Sequence, residues 1–547
     1  MMQKVLVVTG GLLNEKETSV LRALRKQSLQ WRAAQAAWLD LKIKLVMAEP
    51  MIAGKVERLL ARRRLSPLVR EYFANTENLS APELTEVVLL TLLAQEGMAY
   101  GAVTVDEIFA NTEQARSLLA ECCCVFLSAT LLRDLSEVEP LVKRLKRAHN
   151  RVVIGGALGG TLVHDWAGMP EVDILAVGYG EMLVPTLVRY IRSGFATLVA
   201  PVSGSVETRA STHILRSGVP NGSDLDFLPT PDWAQAERDH GRKFPMVYYE
   251  SVRGCPYRCN FCNYPYLFDD TRFRYKSAKK IADDWQRYRE ETGAQYVTCL
   301  DSLFTMPRRR LVELCGELVK RQLGLKWICY ARADDLAHPE IAAMMKEAGA
   351  HQVQIGVESG DQGLLDNMDK QCTVEANHQA LVNCRAVGLT SVVSLIVGFP
   401  GETRKTMDTT LAFLAATPPD FYFLATFSTR VAGVPILSSF NRDRFHLRTD
   451  SNPHTVAPYW EHATMSAADV GNHVRHMHQR IMAEKISLNA PLFYAGLLGY
   501  RPEQRSDLLD FQHRVATRHP VVTQSMNLAN AWLDRYLRRD MARWRAQ

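Results

Sequence analysis

Three cysteines crowd into the stretch "RGCPYRCNFCNYP", residues 253 to 265: Cys255, Cys259 and Cys262, at spacing C-x3-C-x2-C. Thiols this close together invite several readings. A disulfide framework needs pairs and an oxidising compartment, and a lone triplet in a long chain suits that badly. A structural zinc site wants four ligands, commonly two C-x2-C knuckles, and Cys299 and Cys315 downstream supply no second knuckle. An iron–sulfur cluster takes thiolates readily, usually four. Three on a four-iron cluster leave one iron open to a substrate or cofactor. The triplet can also be an accident of a turn. Spacing leaves these open, and the surrounding elements must decide.

The loop follows an extended run, "MVYYESVRG". From residue 245 to about 440, strand and helix patterns then alternate: "AQYVTCLD", "RRRLVELCGELVKRQLG", "LKWICYARAD", "PEIAAMMKEAG", "AHQVQIGVESG", "VEANHQALVNCRAVG", "LTSVVSLIVGFPGE", "RKTMDTTLAFLAAT" and "DFYFLATFST". About six strand–helix units predict an open, partial (β/α)6 barrel with chemistry at the C-terminal strand ends. Residues 1–200 alternate too, from "KVLVVTG" through "CCCVFLSAT", "RVVIGGALGG" and "VDILAVGYGE". Buried strands between helices predict a Rossmann-like, flavodoxin-type α/β domain, whose Gly- and Ser-rich loops fall where such sheets bind ligands. Residues 201–244 are rich in Ser, Gly, Thr and Pro and read as a linker with a short hairpin. Residues 441–547 read as a mainly helical capping or substrate region, with helices over "SAADVGNHVRHMHQRIMAEK" and near 523–543.

The 547 residues allow two or three domains. Hydrophobic content of 47% and charged content of 23% are ordinary for a globular protein. A net charge of +6 over this length is a weak excess and suggests neither a nucleic-acid partner nor a membrane surface. Arg62, Arg63 and Arg64 read as a solvated helix face. The start, "MMQKVLVVTGGLL", reads as a strand rather than a secretory signal, and no apolar run is long enough for a membrane span. A cytoplasmic protein with reduced thiols is expected. Cys122, Cys123 and Cys124 lie in an apolar strand and read as small hydrophobes. His473, His476 and His478 lie on one amphipathic helix and read as surface or substrate-facing rather than as a metal site.

Taken in order, these motifs resemble the radical SAM enzymes that carry an N-terminal cobalamin-binding domain. The motifs are C-x3-C-x2-C after the first barrel strand, with Phe261 before the third cysteine, "LDSLFT" with Asp301, "YARAD" with Arg332, "QIGVESGDQGLL" with Glu358 and Ser359, and "IVGFPGET" with Gly398 and Gly401. Upstream, "FLSAT", "VVIGGALGG" and "VDILAVGYGE" match that branch's Rossmann-like domain. The resemblance implies a [4Fe-4S] cluster on Cys255, Cys259 and Cys262. It implies an S-adenosyl-L-methionine (SAM) site at Phe261, Asp301, Arg332, Glu358, Ser359 and Gly398. It also implies cobalamin at Ser128, Thr130, Gly155, Gly156, Gly178, Gly180 and Glu181. Arg332 would pair with the methionine carboxylate, unless it forms a rim ion pair with Asp334 or Glu358. Glu358 would accept from ribose hydroxyls. The D-x-H-x-x-G signature that places a histidine under cobalt is missing. His164 follows a Gly loop but reads as a surface residue.

The function so implied is methyl transfer from methylcobalamin to an unactivated carbon, or phosphinate phosphorus, of a small molecule. An electron donor such as flavodoxin or ferredoxin would be the partner. A non-methylating ring closure, rearrangement or oxidation is the alternative, and the yield of S-adenosylhomocysteine separates the two. A scaffold without turnover needs no SAM site, and the ordered Arg332, Glu358 and "GFPGE" set argues against it. Tyr330, Arg430 and Trp460 are the candidate substrate contacts.

Overall fold

The computed structural model describes residues 3–11, 37–61, 64–76, 81–132, 134–222, 224–266, 271–429, 433–449, 459–490, 497–517 and 520–546. Seven strands build the first sheet: β1 (Lys4–Thr9), β2 (Ala99–Thr104), β3 (Cys124–Ser128), β4 (Arg151–Gly155), β5 (Ile174–Val177), β6 (Ser205–Arg209) and β7 (Thr212–Arg216). Their order is β2-β1-β3-β4-β5-β7-β6. The first five follow the flavodoxin order, in which the direction of winding switches between β1 and β3. Val5 to Val8 are buried on both faces, which is why the strand reads as an unbroken apolar run. Helices Leu84–Gln95 and Gly180–Arg192 cover one face, and Leu135–Leu145 lies on the other.

The expected linker holds the expected hairpin, β6 and β7, but it is not a free spacer. β7 runs parallel beside β5, from Ile174↔His213 to Val177↔Arg216. Ile214 and Leu215, both 0% exposed, put one side chain into the core on each face. That burial holds the hairpin to the sheet.

The second sheet contains β8 (Met246–Tyr249), β9 (Tyr296–Cys299), β10 (Lys326–Ala331), β11 (Ala350–Glu358), β12 (Thr390–Val397), β13 (Phe421–Thr426) and β14 (Leu488–Asn489). The strands pair in chain order, all parallel, with β8 and β14 as the edges. Val297, Val353, Ile355, Val393 and Leu395 pack outward against Ile281, Trp285, Leu314, Met345 and Leu381. Alternate residues therefore face the lumen. This is the partial barrel, extended by one short strand from the C-terminal region.

That region is tied to a segment expected in the first domain. Helices α1 (Ala37–Leu60) and α2 (Pro67–Thr76) pack on α3 (Ala467–Ala483), α4 (Arg505–Thr517) and α5 (Pro520–Arg545). Leu39 and Val46 join the barrel core, while Ala53, Leu65 and Val69 join a second core with Leu508 and Phe511. Lys42 is fully buried; it donates to the Ala468 carbonyl at 3.1 Å and pairs with Asp534. Arg475 pairs with Glu49 at 2.5 Å and Arg514 with Glu57 at 2.9 Å. Residues 1–200 are thus split between two bodies, and α4 had no counterpart in the sequence reading. Arg62 and Arg63 lie outside the described residues; Arg64 is exposed. No helix among the described residues is long and apolar enough to cross a membrane.

Candidate active site

The cysteine loop leaves the C-terminal end of β8. Gly254 makes its first bend at φ +73, where a Cβ would lie 2.1 Å from the Arg272 carbonyl oxygen. The Cys262 N–H donates to the Cys259 carbonyl at 3.1 Å. Between them Asn260 is keyed from several sides. Its N–H donates to Met368 O at 2.8 Å and its side-chain amide to Asn367 O at 2.8 Å, while its own carbonyl accepts from the Ile436 N–H at 3.1 Å. All three cysteines are free. Burial raises their thiols, Cys262 up to about 12, while the Lys370 and Arg332 cations pull Cys255 and Cys259 the other way.

Asp301, expected at the SAM site, is buried and occupied with the loop's approach. Its carboxylate accepts from the Ser251 N–H at 2.6 Å, the Ser251 hydroxyl at 2.6 Å and the Val252 N–H at 2.7 Å. Burial still lifts its carboxyl to about 6. Arg332, also buried, gives Nε to Asp334 at 2.8 Å and one terminal nitrogen to the Lys370 and Gln371 carbonyls at 2.8 Å each. Its guanidinium sits 3.8 Å over the Tyr257 ring. The rim ion pair is therefore with Asp334.

Glu358 pairs with Lys370 instead, at 3.1 Å. It sits at φ +62, and Gly356 leaves room for the pair: a Cβ there would lie 2.4 Å from Glu358 Oε1. Lys370 also stands 5.8 Å from the Phe261 ring, whose edge meets Phe399. Ser359 is buried, receives the Asp361 N–H at 3.0 Å and contacts Thr410 at 3.2 Å. At the next strand end Gly398 turns at φ +91, with Val470 2.8 Å from where a Cβ would stand. Its N–H donates to Glu402, and its carbonyl lies 3.1 Å from His462 Nε2. Gly401 turns at φ +98, with Asn367 Nδ2 2.5 Å from where a Cβ would stand.

On the first sheet the expected cobalamin residues do share one edge. Ser128 and Thr130 hydroxyls are 3.2 Å apart, and Thr130 is exposed. A Cβ on Gly156 would lie 2.5 Å from Thr130 Oγ1, and one on Gly178 would lie 2.3 Å from Ser217 Oγ. A Cβ on Gly155 would make ordinary contact with Ala176, and Gly180 faces open space. Gly10 and Gly11, at φ +94 and +151, end β1 beside the switch point; they close the first apolar run but were not among the expected cobalamin residues. Glu181 departs from its expected role. Both its oxygens take the Arg253 guanidinium, at 2.6 and 3.1 Å, and Arg253 also reaches Glu250 at 2.8 Å and lies over the Tyr179 ring. Arg253 is two residues before Cys255, so this buried pair joins the edge of the first sheet to the cysteine loop.

Other candidates are placed elsewhere. His164 is exposed, as expected. Cys122 and Cys124 are buried small side chains. His478 is neither surface nor substrate-facing: it is buried, bonds Tyr422 at 2.9 Å, and burial lowers it to about 4. Trp460 is 2% exposed, edge-on to Phe427 and stacked on His462, so it is core rather than a contact surface. Tyr330 faces the lumen, half-buried. Arg430 lies outside the described residues. Lys370 and Arg253 are the ion-paired side chains beside the candidate site that sequence reasoning missed. Arg253 stood in the quoted stretch; nothing local marks Lys370.

The donor set fits an iron–sulfur cluster. Thiols this desolvated stay protonated unless iron or a cation holds them as thiolates. Among the described residues no three His, Cys, Asp or Glu side chains converge on a single-ion site. Residues 249–414 match the model of the radical SAM superfamily; this part of the chain, the barrel, is a radical SAM domain. Together with the flavodoxin-type sheet it has the fold of a cobalamin-binding radical SAM protein. The radical S-adenosylmethionine methyltransferase TsrM from Kitasatospora setae, solved with cobalamin and a [4Fe-4S] cluster bound, matches with TM-score 0.60 and 15% identity, over 94% of this chain and 99% of that one. The anaerobic magnesium-protoporphyrin IX monomethyl ester cyclase of Rubrivivax gelatinosus is 27% identical over 278 residues, 49% of this chain and 50% of the cyclase. The hopanoid C-3 methylase of Methylococcus capsulatus is 25% identical over 279 residues, 48% of this chain and 52% of the methylase. The chain spans about half the length of these curated relatives.

Proposed function

We propose that this chain is a cobalamin-dependent radical SAM methyltransferase acting on an unactivated carbon, or phosphinate phosphorus, of a small molecule. The observation that carries the reading is the Glu181–Arg253 pair, because it brings a glycine-lined sheet edge up against the three-thiol loop. Cys255, Cys259 and Cys262 would hold a [4Fe-4S] cluster, with SAM between Phe261, Glu358, Lys370 and the Gly398 turn. Cobalamin would lie on the edge formed by Gly10, Thr130, Gly156 and Gly180. When bound, these groups supply a 5′-deoxyadenosyl radical and a transferable methyl group. The chain's own residues fix the loop through Asn260 and Asp301, hold a cation beside the thiols, and align the two edges.

Eleven free cysteines support a reducing cytoplasm. A one-electron donor such as flavodoxin or ferredoxin would reduce the cluster. The similarity to a cyclase favours one second reading, a radical ring closure without methyl transfer. Anaerobic purification from cobalamin-fed cells, with iron, sulfide and corrin measured per chain, tests the cofactor set: about four irons and one corrin are expected. Iron without corrin rejects methyl transfer through cobalt. S-adenosylhomocysteine formed in step with product supports methyl transfer, and its absence supports the cyclase-like reading.

A further inference from the structure

Exposed apolar side chains gather on two helices. Fourteen large hydrophobic side chains stand exposed among the described residues, and six of them lie on α1 and α5: Met51, Leu59, Leu60, Leu528, Trp532 and Tyr536. These helices hold only 24 and 26 residues of the 547, so this is not the single scatter that any surface shows. Around Trp532 the side chains form one patch. Its ring centroid lies 4.6 Å from that of Tyr536 and 5.3 Å from that of Trp38, and Trp38 stacks on Tyr536 at 5.3 Å. Leu528, 73% exposed, stands one turn before Trp532. The opposite stripe of α5, Asn530, Leu533, Leu537 and Met541, is the buried one. That stripe holds the helix to the protein, and the outer patch is left over.

Charge says what covers it. The exposed charged side chains of α1 and α5 are Lys55, Arg535, Arg538, Arg539, Arg543 and Arg545, all cations. Every acid of the two helices is engaged in an ion pair: Asp40 with Lys44, Glu49 with Arg475, Glu57 with Arg514, Asp534 with Lys42 and Asp540 with Arg543. Arg535 and Arg539 pair with no acid among the described residues. Leu528, Trp532, Arg535, Arg539 and Arg543 follow one another at three or four residues, so the arginines continue the apolar stripe along one face. The chain's net charge of +6, weighed alone, conceals this local excess. A second copy docked about a two-fold axis would set these cations against themselves. A lipid surface answers both parts of the face: phosphates meet the guanidinium groups, while Trp, Tyr and Leu suit the boundary between headgroups and acyl chains.

We infer that the outer face of α5 rests on an anionic phospholipid surface, with Leu528, Trp532 and Tyr536 at the acyl boundary and Arg535 and Arg539 on lipid phosphates. The helix lies on the bilayer and is not apolar enough to cross it. The inference goes beyond the methyl-transfer reading and does not depend on it.

Flotation of the full chain with vesicles of phosphatidylglycerol and phosphatidylcholine, against phosphatidylcholine alone, tests it. The chain should float with the mixed vesicles and stay behind with phosphatidylcholine, and about 0.5 M salt should release most of it. Arg535→Gln combined with Arg539→Gln should weaken binding roughly thirtyfold, for two cations taken from an anionic surface. Leu528→Gln should weaken it roughly tenfold. All three positions are exposed, so the melting temperatures should stay unchanged. No flotation, equal flotation on phosphatidylcholine alone, or full flotation of both variants overturns the inference. Equal binding to polyglutamate, untouched by Leu528→Gln, would assign the face to an acidic protein and overturns it too. So does a dimer, seen by light scattering, that Leu528→Gln dissolves, since the face would then belong to a second copy. The flotation needs neither SAM nor turnover, so its failure leaves the methyl-transfer reading standing.

Discussion

At Glu402 one buried carboxyl holds the Gly398 turn, and burial lifts it from the ordinary 4.5 to about 8. The folded chain therefore holds this proton more tightly than the unfolded chain. The stabilisation is complete below the ordinary value and disappears as pH rises through 8. Thermal melts between pH 6 and 9 should show falling stability, and Glu402→Gln should flatten that slope while keeping an acceptor for the Gly398 N–H. An unchanged slope in the variant would discard the assignment. Asp301 makes a second test: Asp301→Asn should cost about 1–3 kcal/mol and lower the iron retained per chain, because it loosens the anchor at Ser251 and Val252. Full iron at normal stability would remove Asp301 from any role in the loop. The sequence reading placed Asp301, Arg332 and Glu358 at strand ends and named Asp334 as one partner of Arg332; the hold of Asp301 on Ser251 and Val252 and the pairing of Glu358 with Lys370 were not legible. Which carboxylate takes which cation depends on Lys370, which reaches Glu358 only because Asp369 and Gln371 turn at φ +47 and +53 on either side of it.

The strands and helices of both sheets were legible because their apolar period is regular, from "KVLVVTG" to "DFYFLATFST". What stayed hidden were elements whose partners are remote. α1 carries an apolar stripe like any surface helix, and nothing in it says that the stripe belongs to α3 and α5 rather than to the neighbouring strand. The hairpin β6–β7 was visible as a turn, but its place beside β5 rests on the burial of Ile214 and Leu215. The Lys42–Asp534 pair measures the α1 contact. Lys42 is fully buried and Asp534 is 23% exposed. Lys42→Met should cost about 2 kcal/mol, below the range for a fully buried pair because Asp534 keeps some water, and adding Asp534→Leu should restore most of it. Thermal melts of the two variants decide; a double variant no better than the single would show that the pair is not the contact that matters.

Across the whole molecule, the Glu181–Arg253 pair is the one buried guanidinium–carboxylate fork described between the first sheet and the cysteine loop. Under the proposed methyl-transfer reading, Glu181→Gln should leave iron and corrin content unchanged yet raise the 5′-deoxyadenosine formed per methylated product several-fold, since the radical would be made without the methyl donor held in line. The exchanged pair Glu181→Arg with Arg253→Glu should recover part of the coupling. A plain structural role would instead lower both products together and lower cofactor content.

The union of α1 with α3 and α5 has a consequence in time. Lys42 is 426 residues from its carbonyl partner at Ala468. At about 5–20 residues per second, roughly 20–90 s of synthesis separate the helix from the surface that completes it. For the first part of that interval the barrel itself, residues 246–426, is still unmade, and even once it is complete α1 lacks the surface of α3. The first helix among the described residues is among the last to be seated, so shortening the chain anywhere before residue 467 removes the seat and leaves a nascent apolar stripe for chaperones to cover.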